Sequence, residues 1–295
     1  MLGELAALTT ALLWTATSVF FTLSGRKVGS QIVNRTRLVF GFLFLCLLHF
    51  IVYREFLPFS IEISYWLWFG LSGIIGLVIG DSALFQSFIL IGPHLSMLIM
   101  TLVPIIGAVF AWLFLSEVLS PLKIIGILCT LSGIVLVILK KLNSNITSRK
   151  NYATGICLAT IGAISQATGL IIAKKGLSAG LNGLSATLIR VAVATIIIWL
   201  ITIFTKQFKT TINKVFSSKV VFIIMAGAFC GPFLGIWMSM NAIKWTYIGI
   251  ASTLMALPPV FLLPISYLIF KEKITLLSLL GTLIAVIGIG LIFLS

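Results

Sequence analysis

The sequence predicts an all-α integral membrane protein of ten transmembrane helices, built as two inverted five-helix repeats. Three observations lead there. Composition is the first: 60% of the 295 residues are apolar and 9% are charged, where soluble domains carry ~25% charged residues. The second is that the chain divides into ten apolar stretches, each near the ~20 residues that cross a bilayer as a helix. The third is a match of unusual residues between the halves at an offset of 155 positions. Ten spans with short connections leave this sequence no room for an ATP-hydrolysing module or a soluble sensor domain. No metal, cofactor or nucleic-acid partner is expected. The formal charge of +14 lies between the apolar stretches, where it orients a membrane protein against anionic lipid. Cys46, Cys129, Cys157 and Cys230 fall inside apolar stretches without paired spacing and read as packing residues.

Read from one polar break to the next, the first half gives helices over residues 2–24, 31–53, 64–90, 93–115 and 121–139. The first stretch exceeds the apolar core of a signal peptide and precedes no small-residue cleavage site, so it is expected to remain as a mature helix. Pro93 opens the fourth stretch, and Ser120 caps the fifth. The basic linker 140–151 (KKLNSNITSRKN) then joins residues 1–145 to residues 146–295. In the second half the helices fall at 152–174, 181–205, 220–243, 247–270 and 275–294, the last capped by Thr275. Pro232 is expected to bend the eighth.

The offset aligns Gly76 with Gly231, Gly80 with Gly235, Met100 with Met255 and Pro104 with Pro259. It also aligns Glu117 with Glu272, Gly126 with Gly281 and Gly133 with Gly288. Chance similarity between oily helices matches Leu and Ile, seldom Pro, Glu and Gly in one register. Five is an odd number, so the second unit enters the membrane with opposite orientation, as in the inverted repeats of secondary transporters. Ser72, Gly76 and Gly80 form a small-residue stripe on helix three, matched by Gly227, Gly231 and Gly235 on helix eight. Such stripes let helices approach closely in lipid.

The opening GELAALTTALLW, ending at Trp14, together with Pro104, Glu117, Gly126 and Gly133 and their mates Pro259, Glu272, Gly281 and Gly288, resembles the drug/metabolite transporter superfamily, EamA type. The resemblance covers nearly the whole chain. It implies a multi-pass protein of the plasma (cytoplasmic) membrane that moves small metabolites, often exporting amino acids, without a nucleotide-binding domain. One departure is the connection between helices two and three, often strongly basic in that family, which here holds only Arg54. Orientation is contested. Most Lys and Arg lie after helices one, five, seven and nine, which places both termini outside the cytoplasm, whereas the resemblance implies termini inside. The charge distribution belongs to this chain and is preferred. A lipid-linked or nucleotide-sugar translocator and a non-transporting receptor share the scaffold as alternatives.

Asp81 is the one acidic residue well inside a predicted span. At ~2.5–3.5 kcal/mol on insertion scales, a charge there must face protein or water. It can carry a coupling proton, meet a substrate ammonium, or simply tie helices together. Ser82 and Gln86 align with Trp237 and Asn241, and each pair shares a helix face one turn apart. These four, with Trp14 and Gln166 from helices one and six, are expected to line a substrate chamber, with Met100 and Met255 as an adaptable apolar wall. Thr17 is a further candidate. Arg37 is near enough to a helix end to snorkel, while the deeper Arg190 can bind a carboxylate or hold a salt bridge. His94, Lys174, Lys244, Glu117 and Glu272 read as structural or interfacial residues. Gly70-Leu71-Ser72-Gly73 matches the GxSG of rhomboid proteases, but neither His49 nor His94 lies where a base is needed, so no enzyme is expected.

Overall fold

The computed structural model describes residues 2–115, 120–142, 149–178, 180–217, 219–245, 254–271 and 275–293. All the regular structure among them is helical. Among the described residues seven helices are long and apolar enough to cross a membrane, and three shorter apolar ones accompany them. α1 (Leu2–Val28) and α2 (Ser30–Tyr53) are joined by Gly29 alone. Its φ of +97° is open to glycine and strained for other residues. α3 (Ile63–Ile91) ends at Gly92, and Pro93 starts α4 (Pro93–Ile99). α5 (Leu102–Leu115) and α6 (Pro121–Leu142) complete the first half. The second half holds α7 (Arg149–Ser178), α8 (Gly183–Phe204) and a short α9 (Phe208–Ser217). α10 starts at Val220 and runs to Trp245, and α11 (Pro258–Phe270) and α12 (Leu276–Phe293) follow.

The offset of 155 governs backbone shape as well as sequence. α3 carries a π-helical turn at Ile74–Gly80 and α10 carries one at Phe229–Gly235, the same positions of the two halves. Pro232 lies inside the second turn, as the expected bend requires, but Leu77 occupies its place in the first. Proline is therefore accommodated by the π-turn without being its cause. The expected single helix over 93–115 is broken at Met100–Thr101, and α11 begins after a matching turn at Ala256. Pro104 and Pro259 supply the reason. Each removes the N–H that would bond the carbonyl four residues earlier, at Met100 and Met255.

The halves meet reciprocally. α6 packs along α12, α2 on α8, α1 on α10, and α7 on α3. A Cβ on Gly126 would stand 2.6 Å from the Gly288 carbonyl oxygen, and one on Gly288 would stand 2.6 Å from that of Gly126. Gly133 and Gly281 face each other in the same way. Equivalent residues thus meet in exchanged roles across antiparallel helices, which is the signature of a two-fold axis. Thr17 likewise stands on Gly231 where Gln166 stands on the equivalent Gly76.

Besides the two helix breaks, an added element departs from the expected list. The stretch 206–219, read as a basic loop, contains α9. Phe208, Thr211, Val215 and Phe216 recur at helical spacing, with Thr211 and Val215 buried and Phe216 exposed. Arg35 of α2 anchors it, donating to Thr211 Oγ1 at 3.1 Å and to Gln207 Oε1 at 2.6 Å. Glu117 and Glu272 lie outside the described residues, as do the side chains of Lys174 and Lys244.

Candidate functional site

Three helices bring charge into the middle of the fold, and a fourth adds an amide. The π-turn of α3 ends at Gly80, and Asp81 follows as a buried carboxylate. Arg37 of α2 pairs with its Oδ2, and Gln166 of α7 donates to its Oδ1 at 2.7 Å. Both carboxylate oxygens are thereby engaged. Arg37 Nε also donates to Asn34 Oδ1 at 2.9 Å, and its guanidinium lies 4.7 Å over the Phe85 ring. Asn34 Nδ2 in turn donates to Ser82 Oγ at 2.8 Å and to the Leu77 carbonyl at 3.1 Å. Gln166 Nε2 reaches the Gly76 carbonyl at 3.3 Å. A π-turn disturbs the regular ladder of carbonyls, and here Asn34 and Gln166 take up two of them.

Arg190 of α8 completes the group on the far side of Gly76. It is 4% exposed, and its Nε has no hydrogen-bond partner. Its carbonyl packs directly on Gly73, and its Nη2 lies 3.5 Å from the place a Cβ on Gly76 would take. Asp81 acts on it through space but is bonded to others. The cluster of Arg37, Asp81 and Arg190 therefore carries two cations and one anion.

The structure joins Asp81, Ser82 and Gln166 in this cluster, and it adds Asn34, Arg37 and Arg190. The snorkelling expected of Arg37 is replaced by burial at 3% exposure, because its counter-charge comes from another helix. The other candidates go elsewhere. Gln86 accepts from Ser30 Oγ at 2.5 Å, beside the end of α1. Asn241 precedes Ala242, which packs on Ala6 and Ala7 at the beginning of α1. About twenty residues of α1 separate these points, roughly 30 Å at 1.5 Å per residue. Inversion is the cause: aligned positions on antiparallel helices converge only near the axis and diverge beyond it.

Trp14 packs with its Nε1 2.8 Å from the Cβ position of Gly235, and Gly231 and Gly227 take Thr17 and Phe21. Trp237 lies in a separate cluster with Phe233, Leu184 and Leu188. Met100 packs against Phe21, Phe85 and Phe88, whereas Met255 joins Ala6, Ala7 and Ala242. Ser72 Oγ donates to the Gly169 carbonyl at 2.6 Å, so this hydroxyl ties α3 to α7. His49 bonds Ser185 Oγ at 2.9 Å and His94 bonds Thr282 Oγ1 at 3.1 Å. Among the described residues no group of His, Cys, Asp and Glu is placed to hold a metal ion. Two surface hollows, one by Lys206 and Lys209 and one by Phe44 and Phe229, lie away from the charged cluster.

Comparison with known proteins agrees with the two-fold plan. A profile of the family described as "EamA-like transporter family" matches residues 1–139 and residues 153–294. No curated protein matches the sequence. Among solved structures, one described as "Crystal structure of protein" superposes with a TM-score of 0.66, covering 98% of this chain and 95% of its own at 16% sequence identity. At that identity the likeness is one of fold.

Proposed function

Because this chain belongs to the EamA-like transporter family, we propose that it is a secondary transporter of small organic metabolites, an amino acid or a related compound, working by alternating access. Ten crossings in the plasma membrane, as two inverted repeats over residues 1–145 and 146–295, form the scaffold. The carrying observation is the reciprocal packing of the halves around a buried charged cluster. Two halves related by a two-fold axis can open toward either side at equal strain, and a fixed site near the axis is then reached from both.

In this reading Asp81, Ser82 and Gln166 form the centre of the path, and Trp14 and Trp237 flank it. Gln86 and Asn241, at opposite ends, stand in the two mouths. Met100 and Met255 mark the breaks at which helices bend as the mouths open. Asp81 is the carboxylate available to carry a coupling proton. Cells that overproduce the protein are expected to tolerate an excess of the transported metabolite, or to accumulate it in the medium. Gln86→Ala and Asn241→Ala are expected to reduce that protection several-fold while folded protein stays in the membrane. Undiminished protection by both variants at equal expression would remove these two residues from the path.

A further inference from the structure

Arg37 and Arg190 stand alike in their helices, each seven residues after the first, Ser30 in α2 and Gly183 in α8, a register two residues short of the offset of 155, which sets Arg190 against Arg35. Among the described residues only one of them has a counter-ion. Arg37 pairs with Asp81, but the position equivalent to Asp81 in the second half is Ile236. Ile236 packs against the apolar cluster that includes Leu188 and Val191, an apolar residue where the first half has its carboxylate. Arg190 is left 4% exposed with Nε unpartnered, and both oxygens of Asp81 are held by Arg37 and Gln166. A buried cation with an unsatisfied Nε and no paired anion among the described residues is costly, and a ligand can supply what the second half lacks.

We infer that Arg190 anchors a binding site for the carboxylate of a solute bearing one net negative charge. Nε and Nη2 share one edge of the planar guanidinium, the edge a carboxylate grips with two parallel hydrogen bonds. Nη2 faces Gly76, where a Cβ would stand 3.5 Å from it and 3.4 Å from Gln166 Oε1, so a carboxylate on this edge would lie beside the Gln166 amide. One carboxylate brings the cluster of two arginines and Asp81 to neutrality. A zwitterionic amino acid does not, since its ammonium needs an acidic partner and Asp81 is already bonded through both oxygens. A diphosphate does not either, for it calls for two free cations and Arg37 is taken. The assignment rests on the transporter reading and narrows it: of the small organic metabolites proposed there it keeps the monoanions and leaves out the zwitterionic amino acids.

The test measures thermal stability of the purified full-length protein in detergent with sodium pyruvate or sodium benzoate, against sodium chloride at equal ionic strength. Alanine and phenylalanine serve as the zwitterions. At least one monocarboxylate is expected to raise the melting temperature of the wild type by about 2 °C or more, as binding to the native state alone requires. The zwitterions are expected to leave it unchanged. Arg190→Gln is expected to lose the shift and, without ligand, to melt above the wild type, since a stranded charge has gone. Arg190→Lys, charged but without the fork, should keep a reduced shift. The absence of any monocarboxylate shift in the wild type overturns the assignment, and so does a shift that survives Arg190→Gln or an equal one with the amino acids. A carboxylate shift in protein that carries no solute would instead overturn the transporter reading and leave the site. Zwitterion flux indifferent to Arg190→Gln would do the reverse.

Discussion

Asp81→Ala is expected to cost the protein most of its stability, with little folded material recovered from membranes. The substitution strands Arg37 at 3% exposure and removes the anion that acts on Arg190. Breaking a buried ion pair from one side costs about 3–5 kcal/mol, a large part of the 5–15 kcal/mol that holds a typical domain together. It also frees Gln166 from its shorter bond. The double variant Arg37→Met with Asp81→Leu removes both charges together and is expected to recover part of the loss, because an apolar pair needs no counter-ion. Melting curves of detergent-purified protein read both. A single variant that melts within a degree of the wild type would mean that the pair does not hold α2 to α3.

Gly133→Val is expected to separate the two halves along the close contact of α6 with α12. A Cβ there would stand 2.9 Å from Ala285 Cβ and 2.6 Å from its backbone nitrogen, and backbone cannot turn aside as a side chain can. Overpacking a tight interior typically costs 1–3 kcal/mol, and about the upper end is expected here. Gly288→Val should act alike, because the two-fold axis places it against Gly126 and Thr130. A chemical cross-link between α6 and α12 should then form in wild-type membranes and fail in both variants. Equal cross-linking in all three would show that the glycines are not the contact.

Much of this fold is legible in the residues. The offset of 155 rests on Pro, Gly and Glu, which are matched for backbone reasons, and the same offset returns in the two π-turns and the two helix breaks. The π-turns themselves have no sequence rule; Gly76 and Gly80 were readable only as packing residues. α9 is not legible in the sequence because four lysines between 206 and 219 mask a short apolar spacing. The charged cluster was half legible. Asp81 stood out as an intramembrane carboxylate, and an intramembrane charge needs a partner, but Arg37 lies 44 residues away and close enough to a helix end to suggest snorkelling. Gln86 and Asn241 show the limit of alignment alone. Matched positions in an inverted repeat share an environment without sharing a place.

Flux measured with purified protein in liposomes tests the central claim most directly. Labelled solutes from a panel of amino acids, monocarboxylates and related metabolites would be loaded on one side and followed to the other, with no nucleotide present. At least one is expected to cross faster than in protein-free liposomes, to saturate, and to be accelerated by unlabelled solute on the far side, as alternating access requires. Flux of the whole panel at the protein-free rate, with folded protein in the bilayer, would contradict the account.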